Sequence, residues 1–391
     1  MLRRTLLAFL LFLTPLLAPA ADPPAPRDVD ITAPDGFKLR ATYYAAAKPG
    51  PGVILLHMCN TDRRSWAPLA PRLAAAGISS LALDYRGFGE SGALPADADQ
   101  QKQAEVRQHW PADIEAAFAF LLAQPGVDKT RMGAAGGSCG VQNAVQLSSK
   151  HPEIRSLVLL AGPTNAEGIQ FLQHNAWLPI FAAAAADDQY DSDALRAMQW
   201  LTELSGNPRD QFMGFADGKH GTEIFVPHPE LPQAIVAWYV DTLLQSPADP
   251  KAAVKVKHSP ATDFWSALGS PDGTAKAVEI YRQARKQDQH AYLFPEMALN
   301  LAAYGRMQSG QTKEAIELFK LNIEAYPSSA NTYDSLADAY VADGQTGKAL
   351  ETAKQAIAML PGDRANAQFK DLVRQSAEQK IKNLEPAAKK E

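Results

Sequence analysis

Met132-Gly133-Ala134-Ala135-Gly136-Gly137-Ser138-Cys139-Gly140-Val141-Gln142-Asn143-Ala144-Val145-Gln146-Leu147 is the stretch on which the reading of the fold turns. A short apolar run leads into a G-x-S-x-G pentapeptide, and apolar residues at helical spacing follow. That is the pattern of a strand handing over to a helix through a sharp turn with a serine at its apex. Such a turn forces the serine backbone into a strained conformation, and it needs small flanking residues because strand and helix pass close together. The serine hydroxyl is then held out above the edge of a sheet. Glycine-rich turns are common, so the pentapeptide acquires meaning only if partners for Ser138 exist elsewhere.

A serine nucleophile needs a histidine as proton acceptor and an acid to orient that histidine, here in the chain order serine, acid, histidine. Leu178-Pro179-Ile180-Phe181 and five alanines read as a buried strand that ends at Asp187-Asp188-Gln189-Tyr190. A carboxylate just past that strand lies on the same sheet edge as Ser138. Asp187 and Asp188 both qualify, with Asp191 a third candidate. Gln211-Phe212-Met213-Gly214-Phe215 reads as a further strand, followed by a loop that carries His220.

The region from about Val29 to about Leu244 resembles an α/β-hydrolase of the dienelactone-hydrolase and carboxylesterase type. Leu81-Ala82-Leu83-Asp84-Tyr85-Arg86-Gly87-Phe88-Gly89-Glu90-Ser91-Gly92 is similar to that family's D-x-R-G-x-G-x-S segment. Val53-Ile54-Leu55-Leu56-His57 is similar to its oxyanion strand, although His57-Met58 stands where the family has His-Gly. The resemblance implies a doubly wound, mostly parallel sheet. It implies Ser138 as nucleophile, His220 as base and Asp188, the second of the pair, as acid. It also implies an oxyanion hole of backbone N–H groups from Cys139 and from the loop after His57, at Cys59. The substrate would be a small acyl compound, as ester or as amide, with no cofactor. The stretch from Gly162 to Leu178 is short, so only a minimal cap and an open site are expected. Arg63 and Arg64 could clamp a substrate carboxylate, or else be solvated and paired with neighbours such as Asp62. His57 reads as a buried histidine bonded to backbone.

Composition narrows the alternatives. The chain has 391 residues and a formal net charge of −5, with no dense basic patch interleaved with aromatics, so nucleic acid is not an expected partner. The histidines lack metal-ligand spacing, so no metal is expected. Arg3-Arg4, an apolar run from Thr5 to Leu17 and Ala18-Pro19-Ala20 form the pattern of a signal peptide over residues 1–20. The run is short for a bilayer span. A periplasmic or secreted protein follows, with no membrane span after signal removal. Cys59 and Cys139 are the only cysteines. If both supply N–H groups to one oxyanion, their α-carbons are near the separation that a disulfide requires, and export would let the bond persist. The alternative is two small thiols filling space behind the turn.

The order of elements supports the same fold. Val29–Thr32 and Leu39–Tyr44 read as strands, as do Gly52–His57, Ile78–Asp84, Ser156–Ala161 and Ile180–Ala186. Ser65–Ala75 and Pro111–Ala123 read as helices. Residues 21–248 then form the hydrolase domain and 249–273 a linker. Residues 274–391 form an all-α domain. Within it, 330–363 matches a tetratricopeptide pattern through Tyr333, Leu336, Ala337, Tyr340, Gly344, Ala349, Ala356 and Pro361. Shifting by the ~34-residue period recovers Leu299, Ala302, Ala303, Gly310, Ala315 and Pro327 in 296–329. Ala277, Tyr281 and Ala284 suggest an earlier degenerate repeat, and 364–384 a capping helix. So few repeats need a surface to pack on, which suggests docking to a protein partner or self-association, apart from catalysis. The readings that follow are an exported serine hydrolase of carboxylic esters, a peptidase or amidase on the same fold, and a catalytically dead scaffold.

Overall fold

The computed structural model describes residues 22–388 apart from 96, 97 and 257; the signal-peptide pattern at 1–20 lies outside the described residues. Eight strands form one sheet in the order β1-β2-β4-β3-β5-β6-β7-β8. They are β1 (Arg27–Thr32), β2 (Lys38–Tyr44), β3 (Gly50–Leu56), β4 (Ser79–Leu83), β5 (Val127–Gly137), β6 (Ile154–Leu160), β7 (Ile180–Ala185) and β8 (Gln211–Phe215). β1 and β2 pair antiparallel, and β2 is antiparallel to β4. From β4 to β8 every pairing is parallel. β3, β4, β6 and β7 are buried on both faces, which accounts for their continuous apolar runs; β8, at the edge, is only partly covered.

The alternation of side chains along a strand divides the interior in two. Ile54 and Leu56 of β3, Leu157 and Leu159 of β6, and Ile180 and Ala182 of β7 point into one core. Their neighbours Val53 and Leu55, Val158 and Leu160, and Phe181 and Ala183 point into the other. The second core is covered by α1 (Ala70–Ala75) and α7 (Glu230–Tyr239), through Leu73, Leu231 and Trp238. The first is covered by α3 (Trp110–Leu122), α4 (Cys139–Lys150), α5 (Ala166–His174) and α6 (Ala194–Ser205). The helix expected over 65–75 is split. Arg63–Trp66 forms a single tight turn and α1 begins at Ala70, because Pro68 lacks an N–H and cannot sit inside a continuous helix. α2 (Gln100–Arg107), α5, α6 and α7 lie in stretches to which the sequence reading assigned no helix; the Asp99 side chain caps α2 by accepting from Lys102 N at 2.7 Å.

The C-terminal part is all helical: α8 (Pro260–Leu268), α9 (Thr274–Gln287), α10 (Glu296–Gln308), α11 (Thr312–Ala325), α12 (Ala330–Ala342), α13 (Thr346–Met359) and α14 (Ala367–Ala388). α12 and α13 begin thirty-four residues after α10 and α11, and Gly310 and Gly344, at φ 78° and 72°, occupy equivalent turns. The stretch read as a linker contains α8, with Ser259 as its cap and Pro260 at its first position. Both are helix-start signals. α8 buries Phe264, Trp265 and Leu268 and pairs with α9 as a hairpin.

These helices do not form a separate body on a tether. The first core runs without interruption from Ile31 to Ala349. Trp200 of α6 and Trp265 of α8 both donate their indole N–H to the Leu293 carbonyl, each at 3.0 Å. Arg306, which replaces the aromatic expected in its repeat, donates to the Leu268 carbonyl and ties α10 to α8.

Trp265 is completely buried, and truncating such a side chain to alanine costs about 3–5 kcal/mol. Trp265→Ala is expected to lower the melting temperature of the whole chain in a single transition. Two transitions in thermal unfolding, with only the second moved, would show that the helical part unfolds on its own.

Candidate active site

Ser138 stands between β5 and α4 with φ 54° and ψ −123°, a conformation that costs a non-glycine residue on the order of 1–3 kcal/mol. Its surroundings hold it there. Ser138 N donates to the Leu160 carbonyl at 2.9 Å, and the Ser138 carbonyl accepts from Val141 N at 2.9 Å. A β-carbon on Gly136 would lie 2.0 Å from the Gly140 carbonyl oxygen, and one on Gly140 would lie 2.4 Å from that of Leu56. The two glycines of the motif are therefore demanded by backbone passing backbone.

β7 ends just before Asp187 and Asp188, and β8 leads into the loop that carries His220. His220 Nδ1 lies 2.6 Å from Asp188 Oδ2. The other oxygen of Asp188 accepts from the N–H groups of Tyr190 (2.8 Å) and Asp191 (3.0 Å). Asp187 turns away and caps the same loop by accepting from Lys219 N at 2.8 Å. A carboxylate can only accept here, so Nδ1 carries the proton and Nε2 is left with its lone pair. Ser138 and His220 both line one cavity of about 740 Å³.

Cys59 and Cys139 are joined by a disulfide, with α-carbons 5.9 Å apart. Cys139 is the first residue of α4, where a helix leaves N–H groups without intrahelical partners. Cys59 lies in the turn after β3, which is closed by Thr61 N donating to the Met58 carbonyl at 3.2 Å. Met58, the residue in place of the expected glycine, is completely buried. Its sulfur accepts from Thr222 N at 3.4 Å, so the departure at His57-Met58 packs the turn carrying Cys59 against the loop carrying His220.

Two sequence expectations need correction. Arg63 and Arg64 are not among the residues lining the cavity. Arg63 is buried and bonds the Asp84 carboxylate through its side chain and its backbone N–H (2.7 Å), with Glu90 at 3.1 Å. Asp84 would otherwise be an uncompensated buried charge, so this arginine braces the turn that carries Cys59. Arg64 pairs with Asp62 at the surface. The second correction concerns openness: the site has a roof. Pro295, Glu296 and Met297 from the start of α10, Ser329 from the turn before α12, and Asp363, Arg364 and Phe369 from the start of α14 line the same cavity as Ser138. The helices read as a docking module apart from catalysis are a wall of the site.

Sequence reasoning missed a second layer. Glu223 Oε2 accepts from His220 N at 3.2 Å and from Gln189 Nε2 at 2.6 Å. The Tyr190 ring stands 4.8 Å from the His220 imidazole, and its hydroxyl accepts from Asn60 Nδ2 at 3.1 Å. No local pattern marks these residues, because they meet only once the loops converge. On the cavity walls, burial lifts the carboxyl of Asp191 to about 6 and that of Glu296 to about 7. Hydrogen bonds from Asp193 N to Asp191, and from Asn331 and Ser329 to Glu296, oppose those shifts. Among the described residues no group of three or more His, Cys, Asp or Glu is arranged to hold a metal ion. No described helix is long and apolar enough to cross a membrane.

His57 is fully buried, donates from Nδ1 to the Met58 carbonyl at 2.6 Å and accepts at Nε2 from Tyr85 N at 3.1 Å. Both bonds suit the neutral ring, and a proton on Nε2 would break the second.

Parts of the chain are similar to known proteins. Residues 51–189 match the family described as alpha/beta hydrolase fold. Two uncharacterized proteins of Mycobacterium tuberculosis are each 32% identical over 160 residues, which is 40% of this chain and 52% of the relative. The chain thus spans about half the length of the curated relatives it matches. Among solved structures, an esterase of Pyrococcus furiosus shares 20% identity with a TM-score of 0.43, covering 56% of this chain and 90% of that one. A dienelactone hydrolase of Anabaena variabilis shares 15% identity with a TM-score of 0.43, covering 57% and 100%. A dienelactone hydrolase-like promiscuous phosphotriesterase from metagenomic libraries shares 18% with a TM-score of 0.44, covering 56% and 98%. Residues 51–189 thus match the alpha/beta hydrolase fold, and a helical region follows the sheet in the chain.

Two outcomes follow. Burial pushes the His57 pKa from 6.5 down to about 4, so the unfolded chain takes up this proton first as pH falls. The stability contributed by neutral His57 is complete above pH 6.5 and decreases by about 3 kcal/mol by pH 4. Chemical denaturation at stepwise pH should show that loss as the difference between the wild-type protein and His57→Gln. Separately, alkylation of the denatured, unreduced protein should leave both cysteines unmodified. Reduction should cost about 2–4 kcal/mol of stability; modification of both without reductant would contradict the bond.

Proposed function

We propose that this protein is an exported serine hydrolase that cleaves carboxylic esters through an acyl-enzyme. The observation that carries the reading is the joint one at Ser138 and His220. A serine in a strained strand-to-helix turn shares a cavity with a histidine whose other nitrogen is bonded to a buried aspartate. In this reading the Ser138 hydroxyl attacks the acyl carbon while its proton passes to His220 Nε2. Asp188 holds the imidazole in the required tautomer and stabilises the imidazolium. The carbonyl oxygen becomes an oxyanion facing the N–H groups of Cys139 and Cys59, and such a donor contributes about 3–4 kcal/mol to the transition state. The tetrahedral species collapses, the C–O bond breaks, and His220 returns the proton to the departing alcohol. Water then repeats the sequence on the acyl-enzyme and releases the acid and free Ser138.

Export to a periplasm or to the exterior is supported by the pattern at residues 1–20 and by the disulfide, which persists where thiols are oxidised. The repeat spacing of α10–α13 and the match of side-chain positions support a tetratricopeptide-type array. Binding of a protein partner would have to use surfaces other than those that face the cavity. An amide substrate would use the same groups. The observed His220–Asp188 bond counts against a dead scaffold.

Ser138→Ala is expected to abolish covalent labelling by a fluorophosphonate and to lower hydrolysis of p-nitrophenyl esters by roughly 10³-fold or more, with the fold intact by circular dichroism. Asp188→Asn should lower kcat by roughly 10⁴-fold through loss of the required tautomer, whereas Asp187→Asn should have a far smaller effect. A panel of acyl esters and peptides assigns the ester or amide preference. Undiminished labelling of Ser138→Ala would refute the assignment.

A further inference from the structure

The seat of the roof on the catalytic loops is specific. The Asn366 side-chain amide, at the entry to α14, donates to the Gln189 carbonyl. Gln189 directly follows Asp188, and its own side chain bonds Glu223, which accepts from His220 N. A single hydrogen bond thus joins the last helix of the chain to the loop that orients the imidazole. On the opposite side the roof is anchored more firmly. Tyr292 donates its hydroxyl to Asp193 at 2.5 Å, and the Arg196 guanidinium stacks 3.9 Å from the Tyr292 ring centroid.

Two apolar side chains hang from the roof. Phe369 is half-buried and faces the cavity from α14. Met297, at the start of α10, lines the cavity and also a recess of about 30 Å³ behind Gly162 and Pro163, whose floor includes Met198 and Leu201. The recess opens beside the nucleophile, because a β-carbon on Gly162 would lie 2.1 Å from the Ser138 carbonyl oxygen.

We propose that the starts of α10 and α14 are the substrate-selecting lid of this site, with Met297 and Phe369 setting the size of substrate admitted and Asn366 positioning the lid on the acid loop. The proposal rests on the hydrolase reading above and deepens it. A cavity of about 740 Å³ is within the range that surrounds a drug-sized molecule. The substrates are therefore small-molecule esters enclosed between sheet edge and helices, and acyl groups carried on a protein surface are excluded. Asn366 acts through Gln189 and does not touch substrate, so it is a positioning residue.

The test compares the rates at which two fluorophosphonates label Ser138 in the full-length protein: a compact ethyl fluorophosphonate and one bearing a long biotinylated linker. Phe369→Trp and Met297→Trp are expected to lower the bulky-to-compact rate ratio about tenfold, the scale on which steric fit discriminates. Phe369→Ala should raise it. Asn366→Asp keeps the size of the side chain but loses the donor; it should raise the ratio and change KM for bulky esters more than kcat. Circular dichroism and thermal melting identify any variant that has not folded, and the substitutions in opposite directions keep the comparison decisive. A ratio unchanged in every folded variant overturns the lid while leaving the hydrolase intact. Failure of the compact probe to label the wild-type protein overturns the hydrolase reading, and the lid with it.

Discussion

The backbone of Ser138 is the constraint around which the sheet-bearing half of the chain is built. Its positive φ aims the side chain off the end of the sheet, and the strain persists only because neighbouring backbone leaves no room to relax. Leu160 at the end of β6 accepts from Ser138 N, while the Gly140 carbonyl closes on Gly136 and the Leu56 carbonyl, at the end of β3, closes on Gly140. Parallel pairing of β3, β5 and β6 brings those three strand ends to one edge. The disulfide then joins the turn after β3 to the first residue of α4, so the two donors proposed for the oxyanion are covalently linked. A hydrogen-bond hole is useful to the extent that it does not reorganise during reaction, and this bond limits such movement.

Electrostatics reinforce the same edge. Asp84 lies fully buried at the end of β4 and accepts from Arg63, from the N–H of Arg63 and from the N–H of Glu90. It thereby pins the turn carrying Cys59 from below. His57 pins it from the strand side, neutral and bonded at both nitrogens. Neither group needs to meet substrate to matter. Each removes a freedom that the turn carrying Cys59 would otherwise have.

What could be read from the sequence was what local pattern determines. The G-x-S-x-G turn, the apolar runs of β3, β6 and β7, the order of acid and histidine, and the thirty-four-residue spacing of the helices are all written in short windows. Asp188 was separable from Asp187 only through family resemblance, and the physical distinction is which carboxylate the loop turns toward His220. The roles of Arg63, Glu223, Gln189 and Asn366 were not legible, since their partners lie far away in sequence and polar residues in loops look alike. Helix α8 is a different kind of omission. Its Ser259-Pro260 start is a local signal, outweighed in the reading by the proline-rich segment around Ser246–Pro250 that precedes it.

The roof follows from a mismatch between the two parts of the chain. The sheet has only α5 between β6 and β7, too little chain to cover Ser138, and Ile169, Leu172, Trp200 and Leu201 of α5 and α6 belong to the core that continues into the array. The helical array is short, and each hairpin in such an array has an apolar face that it cannot bury alone. Docking the array on α5 and α6 satisfies both, with Trp200 and Trp265 converging on the Leu293 carbonyl at the junction. That docking directs the chain immediately after Leu293 and Phe294 toward Ser138, because Pro295 begins the cavity wall one residue later. Packing that stabilises the array is thus the same packing that encloses the site. A substitution at the α6–α8 junction, although remote from Ser138, should therefore move the wall of the cavity that Ser138 and His220 line.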